Sequence, residues 1–111
     1  MQNTRLAKLL EFLENDPNDS FILYALATEY NSLNDTEKAF IYYNKLVDEH
    51  PEYVGTYYHL GKLFEKEAQK DKAIEVYQKG MLAARAKRDM HALSELQSAY
   101  NSAAGLDYED D

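Results

Sequence analysis

Apolar side chains recur every three or four residues along most of the chain, which is the spacing of one face of an amphipathic helix. Close to the N-terminus, one such face carries Leu6, Leu9, Leu10 and Leu13. The same spacing continues along the chain with short polar interruptions. It predicts six helices, near residues 4–15, 19–33, 36–49, 53–67, 70–87 and 90–104.

Polar residues at the interruptions indicate where helices begin and end. Asp19 and Asp89 are predicted N-caps, because a carboxylate at that position accepts a hydrogen bond from a free amide of the first helical turn. Asn34 follows the second predicted helix, where asparagine can take the left-handed turn conformation. Ala68 occupies the equivalent turn of the later helix pair less favourably.

The sequence repeats itself with a period of 34 residues. Aligning the chain with itself at this shift pairs Pro17 with Pro51, Tyr24 with Tyr58, Leu26 with Leu60, Lys38 with Lys72, Ala39 with Ala73, Tyr43 with Tyr77, and Lys45 with Lys79. Similar residues extend the register, with Ala27/Gly61 as a small pair and Tyr30/Phe64 as an aromatic pair. A period of this length is typical of helical repeat proteins.

Each repeat also has the internal pattern of two packed helices. In the second repeat, the apolar stripes carry Tyr57, Leu60, Gly61 and Phe64 on the first helix and Ala73, Tyr77 and Gly80 on the second. The first repeat has Leu23, Leu26, Ala27 and Tyr30, then Ala39, Tyr43 and Leu46, in the same roles. The small residues Gly61 and Ala73 predict a close approach of the two helices.

This pattern resembles the tetratricopeptide repeat (TPR) family, whose signature is W-x2-L-G-x2-Y, then A-x3-F, then P, at a 34-residue period. Residues 57–64 and 73–77 match it, with Tyr57 in place of the tryptophan. Arg85 stands where the family has proline, so the last helix of the second repeat is predicted to run on.

The resemblance implies an all-α fold, a short right-handed α-solenoid of antiparallel helix pairs with about six helices. It implies a single domain over residues 1–104 and an acidic tail at 105–111, whose composition predicts disorder. The implied parts of the domain are an N-terminal half-repeat helix at 4–16, a first repeat at 17–50, a second at 51–86 and a C-terminal capping helix at 89–104.

Composition and charge narrow the function classes. The chain has no cysteine, which excludes disulfides and thiol nucleophiles, and its longest apolar run, Phe21–Ala27, is far too short to span a membrane. We therefore expect a cytoplasmic protein without membrane association. The net charge of −8 disfavours binding to nucleic acid, since phosphate contacts need a continuous basic surface.

Charge is unevenly distributed along the chain. Residues 62–88 hold eight bases and four acids, whereas residues 89–111 hold six acids and no base. The basic excess is open to two interpretations: a solvated helix face, or a surface that attracts an acidic segment of a partner protein.

The stretch "DEHPEY" concentrates acids beside a histidine and is the best candidate for chemistry. His50 and Pro51 are better explained as the joint between two helices, because Pro51 stops a helix and a histidine suits its C-terminal end. His59 is on the next predicted helix, and nothing in the spacing requires it to face His50. With no phosphate loop, nucleophile elbow or zinc motif in the sequence, we expect no metal, no cofactor and no enzyme activity.

The helical phase predicts a face for partner binding, which in the resembled family lines a concave groove. Its predicted members are Phe21, Tyr24, Thr28, Asn31, Gly55, Tyr58, Lys62, Glu65, His91, Ser94, Ser98 and Asn101. Tyr24 and Tyr58 occupy equivalent positions as rigid anchors. The alternative is that Phe21 and Tyr24 cover the N-terminal helix.

One TPR subtype uses lysine, asparagine and arginine side chains to clamp the C-terminal carboxylate of heat-shock chaperones. The matching positions here hold Tyr24, Thr28, His59, His91 and Glu95. The resemblance therefore predicts no clamp of this kind.

Two functions follow from these expectations. The first is a non-catalytic adaptor that binds a protein or peptide segment in its groove. The second is a self-assembling, structural or chaperone-like module that dimerises through its terminal helices or groove. The predicted state is a monomer or a weak homodimer.

Overall fold

The computed structural model describes residues 3–106, which form six α-helices. The helices are α1 (Thr4–Asn15), α2 (Ser20–Ser32), α3 (Thr36–Glu49), α4 (Gly55–Lys66), α5 (Lys70–Lys87) and α6 (Met90–Ala103). Residues 3–106 contain no strand. The sequence pattern predicted each helix to within two residues at either end, and α5 runs on to 18 residues as the missing proline suggested.

Side-chain caps begin four of the helices. Asp19 Oδ1 accepts the Ile22 amide at 3.0 Å, and Asp89 Oδ1 accepts the Ala92 amide at 3.1 Å, so both predicted N-caps are confirmed. Asn3 and Asp35 cap α1 and α3 in the same way. Neither Val54 nor Gln69, at the starts of α4 and α5, makes a side-chain cap.

A residue in the left-handed conformation follows three of the helices, and another lies in the turn after α6. Asn34 has φ 64°, as predicted, and Ala68 and Arg88 have φ 61° and φ 58°. Gly105 has φ 75°, and the Leu106 amide donates to the Asn101 carbonyl at 2.7 Å. Gly105 and Leu106, predicted to begin a disordered tail, thus belong to the turn that closes α6. The rest of that predicted tail, residues 107–111, lies outside the described residues.

The contacts divide the chain into two compact units that adjoin at Pro51 and Glu52. The first unit contains α1, α2 and α3, and the second contains α4, α5 and α6. The division lies one residue after the predicted boundary between the two repeats, and each unit contains three helices.

In the first unit, α2 and α3 form the main core and α1 packs on α2. Its fully buried side chains include Leu23, Leu26, Ala27, Ala39, Tyr43 and Leu46. Glu29 tethers α1, because its carboxylate accepts from Arg5 Nε at 3.0 Å and from Asn3 Nδ2 at 2.9 Å. These polar contacts supplement a thin apolar seam, since Leu9 is the one buried side chain of α1.

In the second unit, α5 packs against both α4 and α6. Its most deeply buried side chains include Tyr57, Leu60, Ala73, Tyr77, Ala84 and Leu96. A Cβ placed on Gly61 would lie 2.2 Å from Tyr77 Cε1, and one on Gly80 would lie 2.5 Å from Tyr57 Cβ. Two glycines on facing helices therefore allow the tyrosine rings to lie directly on the opposite backbone.

Candidate partner-binding faces

An open cleft of about 450 Å³ lies between α4 and α6 in the second unit. It is lined by Tyr58, Lys62, His91, Ser94, Glu95, Ser98, Ala99 and Ser102. Five of these eight, namely Tyr58, Lys62, His91, Ser94 and Ser98, were among the predicted groove residues. The structure thus brings together five side chains that helical phase and repeat register had assigned to one face.

The two helices present this cleft because their opposite faces are buried. On α4, Tyr57 and Leu60 are packed into the core, so Tyr58 and Lys62, one turn apart, fall on the neighbouring face. On α6, burial of Leu96 leaves Ser94 and Ser98 beside the cleft. The short serine side chains leave the cleft wide.

Both signs of charge occur in the cleft. Lys62 Nζ lies 5.5 Å from the centroid of the Tyr58 ring and 3.9 Å from Glu65 Oε2. Across the cleft, His91 Nε2 lies 3.7 Å from Glu95 Oε2, with both side chains largely exposed. A solvent-accessible pair such as Lys62 and Glu65 contributes little to stability, which leaves the Lys62 ammonium available to a bound molecule.

Glu65 does not line the cleft, although it was predicted in the groove set. Its Oε2 accepts a hydrogen bond from the Tyr77 hydroxyl at 2.5 Å, which ties α4 to α5. Burial first, and this bond second, raise the pKa of Tyr77 above its ordinary value. Glu65 therefore joins α4 to α5 and does not face the cleft.

Asn101 lies in a second shallow depression on α6, which it lines with Met90, Leu93, Ser94, Gln97 and Ser98. Its Oδ1 accepts from Gln97 Nε2 at 3.1 Å. The structure thus separates Asn101 from Tyr58 and Lys62, with which the sequence had grouped it.

In the first unit, the predicted residues lie along α2. Phe21 is 65% exposed, whereas Tyr24, Thr28 and Asn31 are partly buried. Thr28 uses its hydroxyl within the helix, donating to the Ala25 carbonyl at 3.0 Å. The exposure of Phe21 is at odds with the alternative that it covers α1.

Three lining residues were absent from the predicted groove set: Glu95, Ala99 and Ser102. Glu95 and Ser102 follow the predicted residues His91 and Ser98 by four residues, and Ala99 follows Glu95 by four, so each lies one turn beyond another lining residue of α6. Gly55, predicted on the same face, is exposed at the start of α4 and is not a lining residue.

The "DEHPEY" stretch forms the joint between the repeats. His50 is the C-cap of α3, and its Nε2 lies 2.7 Å from the Asn18 carbonyl oxygen. Over residues 3–106, the structure contains no cluster of three side chains suited to holding a metal ion. In the same part of the chain, no helix combines the length and apolar character needed to cross a bilayer.

Models of the tetratricopeptide repeat match residues 8–40 and 54–87. A tetratricopeptide repeat domain protein from Salinibacter ruber, solved by NMR, is 43% identical, with 86% of this chain and 97% of that one covered and a TM-score of 0.77. Its crystal structure gives 44% identity, 80% and 100% coverage and a TM-score of 0.76.

A Bordetella parapertussis protein shares the fold, with a TM-score of 0.78, 21% identity, and 96% of this chain and 92% of that one covered. No curated protein matches the sequence. The expected all-α, TPR-like class is confirmed by these neighbours and by the six helices. Repeats of this kind generally mediate protein–protein interaction, and such proteins are typically non-catalytic. Two repeat matches and a closely similar solved domain place this chain in the tetratricopeptide repeat family.

Proposed function

We propose that the chain is a non-catalytic adaptor that binds a segment of a partner protein in the cleft between α4 and α6. The observation that carries this proposal is that five predicted groove residues, from two helices far apart in sequence, line one cleft. Tyr58 offers a large, rigid surface with a polar tip, the type of residue enriched at binding hot spots.

The chemistry of the cleft suits the main chain of a bound segment. Ser94, Ser98 and Ser102 are small and carry hydroxyls that both donate and accept hydrogen bonds, as peptide groups require. Lys62 and Glu95 add one charge of each sign, so the favoured segment carries mixed charge. We extend the proposal to the α2 face of the first unit, where Tyr24 is the repeat counterpart of Tyr58 and Phe21 is exposed.

Blocking the cleft tests the proposal. Ser98→Trp should fill it, and Tyr58→Ala should remove its main anchor, so both variants should lose the proteins that the immobilised chain captures from native lysate. Asn44→Trp adds the same bulk at an exposed position of α3, a helix that contributes no residue to the predicted face, and should capture them unchanged. Circular dichroism checks that each variant is folded. Equal capture by the wild type and both cleft variants would contradict the proposal.

Self-assembly is the second candidate, and exposed apolar side chains in the first unit favour it. Phe12, Phe21 and Ile41 are 50%, 65% and 57% exposed. Light scattering over a wide range of protein concentration measures the molecular mass in solution and so tests self-assembly directly. A constant mass of 12.8 kDa would remove self-assembly, whereas a rising mass that Phe12→Ser suppresses would support it.

A further inference from the structure

The outward faces of α3 and α5 occupy equivalent positions in the two repeats but carry different chemistry. On α3, Lys45 pairs with Glu49 at 3.8 Å, and Asp48 is exposed beside them. At the equivalent positions α5 carries Lys79, Leu82 and Ala83. The first repeat therefore pairs its lysine with an acid one turn later, while the second has Ala83 at that position. Glu75, one turn before Lys79, is exposed and forms no ion pair with it.

The α5 face continues with more cations and an exposed apolar residue. Leu82 is 66% exposed, and Lys79 and Arg85 lie three residues before and after it, on the same side of the helix. Ala86, one turn beyond Leu82, is also exposed. Lys79 and Arg85 form no ion pair with any of residues 3–106.

Helix stability accounts for only part of this arrangement. A cation near the C-terminus of α5 interacts favourably with the helix dipole, which explains Arg85. The dipole does not explain Lys79, two turns from that end, or an exposed leucine between two cations. Helix propensity does not require an exposed leucine there either, since lysine or glutamine has a similar propensity and suits a solvated face.

We propose that Lys79, Leu82, Arg85 and Ala86 form a second docking surface, which binds an acidic segment of another protein that carries an apolar side chain between its acids. The acids would pair with Lys79 and Arg85, and the apolar side chain would cover Leu82 and Ala86. The surface is apart from the cleft, whose lining comes from α4 and α6 only.

Charge complementarity selects this partner. Within α5, residues 70–87 hold five bases and two acids in a chain of net charge −8, so an acidic segment meets comparatively little repulsion there. An anionic membrane fits less well, because a planar surface exposes the whole acidic chain to repulsion while a narrow segment does not.

The test titrates the labelled full-length chain with a short synthetic peptide in which aspartates and glutamates flank two leucines. Amide shifts in NMR spectra should map to residues 79–86 and spare Tyr58, Ser94 and Ser98. Lys79→Glu combined with Arg85→Glu should weaken binding at least about tenfold, as should raising NaCl from about 0.05 to about 0.3 M. Leu82→Ser should weaken it less.

Matched controls separate this surface from the rest of the chain. Lys45→Glu, at the equivalent position of α3, and Tyr58→Ala, in the cleft, should leave peptide affinity unchanged. A peptide with asparagine and glutamine in place of its acids should not bind.

The proposal is overturned if the NMR shifts map to the cleft, or if the charge reversals have no effect. It is also overturned if phosphatidylserine vesicles bind through the same residues.

Discussion

The helix pairs α2–α3 and α4–α5 share one register, yet they join their two helices differently. Both bury a tyrosine of the second helix completely, Tyr43 in one pair and Tyr77 in the other. Beneath Tyr77 the first helix has Gly61, while the first repeat has Ala27 at that position. Removing a single Cβ lets the Tyr77 ring rest on the backbone of α4.

This difference decides what each tyrosine hydroxyl can reach. Tyr77 donates to Glu65, whereas the buried Tyr43 hydroxyl has no hydrogen-bond partner among residues 3–106. Asn31 is the repeat counterpart of Glu65 and does not take up that bond. Burial raises the pKa of Tyr43 above its ordinary value, with the nearby Tyr24 adding to the shift. The second repeat is therefore tied by a polar bond where the first relies on packing.

The turn between the two helices of each repeat differs in the opposite direction, because the more favourable residues are in the first repeat. The turn in the first repeat has Asn34 in the left-handed conformation and Asp35 as a side-chain cap. The equivalent turn in the second repeat has Ala68, also left-handed, and Gln69, which makes no cap. The second repeat thus has a hydrogen-bonded buried tyrosine but the less favourable turn between its helices.

Replacing Gly61 with alanine should have the largest effect. The new Cβ would lie 2.2 Å from Tyr77 Cε1, so a fully buried ring must move. We expect the free energy of unfolding of the second unit to fall by about 2 kcal/mol, even after the gain in helix propensity. Amide hydrogen exchange, which reports each unit separately, should show the loss in α4 and α5.

Its matched control is Ala27→Gly in the first repeat. That change removes a Cβ instead of adding one and should cost about 1 kcal/mol through helix propensity and lost packing. A second control is Tyr77→Leu, which should relieve part of the cost of Gly61→Ala. If Gly61→Ala were as stable as the wild type, the close approach of Tyr77 would not constrain position 61.

Transplanting the turn of the first repeat should stabilise the second. Ala68→Asn relieves a left-handed alanine and Gln69→Asp adds the missing cap, together about 1 to 2 kcal/mol. Urea denaturation followed by circular dichroism measures the gain. The reverse pair, Asn34→Ala with Asp35→Gln, should destabilise the first unit by a similar amount. No gain from the transplant would mean that the turn does not limit the stability of the second unit.

The two tyrosines should respond differently to loss of their hydroxyls. Tyr77→Phe removes the bond to Glu65 and should cost about 1 kcal/mol. Tyr43→Phe removes a buried hydroxyl that lacks a partner, so its effect should be near zero or slightly stabilising. A double-mutant cycle of Tyr77→Phe with Glu65→Ala isolates the hydrogen bond. Equal costs for the two phenylalanine variants would contradict the comparison.

These contrasts also mark what the sequence could predict. Helix positions followed from periodicity, and Asp19, Asp89 and Asn34 were predictable because caps and left-handed turns depend on local chemistry. The starts of α2 and α4 shifted by one and two residues, since Tyr53 and Val54 lie in the turn before Gly55 instead of the helix. Local signals therefore sufficed for the six helices.

Side-chain partnerships across helices were harder to predict. Helical phase brought Tyr58, Lys62, Ser94 and Ser98 to one cleft, because residues four apart share a face. Phase alone did not show that Glu65 of α4 is bonded to Tyr77 of α5. This pairing depends on how closely the two helices pack and which side chains then meet.

A small pH effect should distinguish the repeats, because His59 replaces the buried Ala25. Burial lowers the pKa of His59 below its ordinary value, and the charge of Glu95 opposes this shift. The unfolded chain therefore takes up the proton first, so the stability that neutral His59 contributes is present above about pH 6.5 and is lost as the pH falls. Between about pH 7.5 and 5.5 the free energy of unfolding should decline more steeply in the wild type than in His59→Gln.

Hydrogen exchange should locate the difference in α4 and α6, since His59 belongs to α4 and Glu95 to α6. Parallel pH profiles for the two proteins would show that His59 has the same proton affinity folded and unfolded.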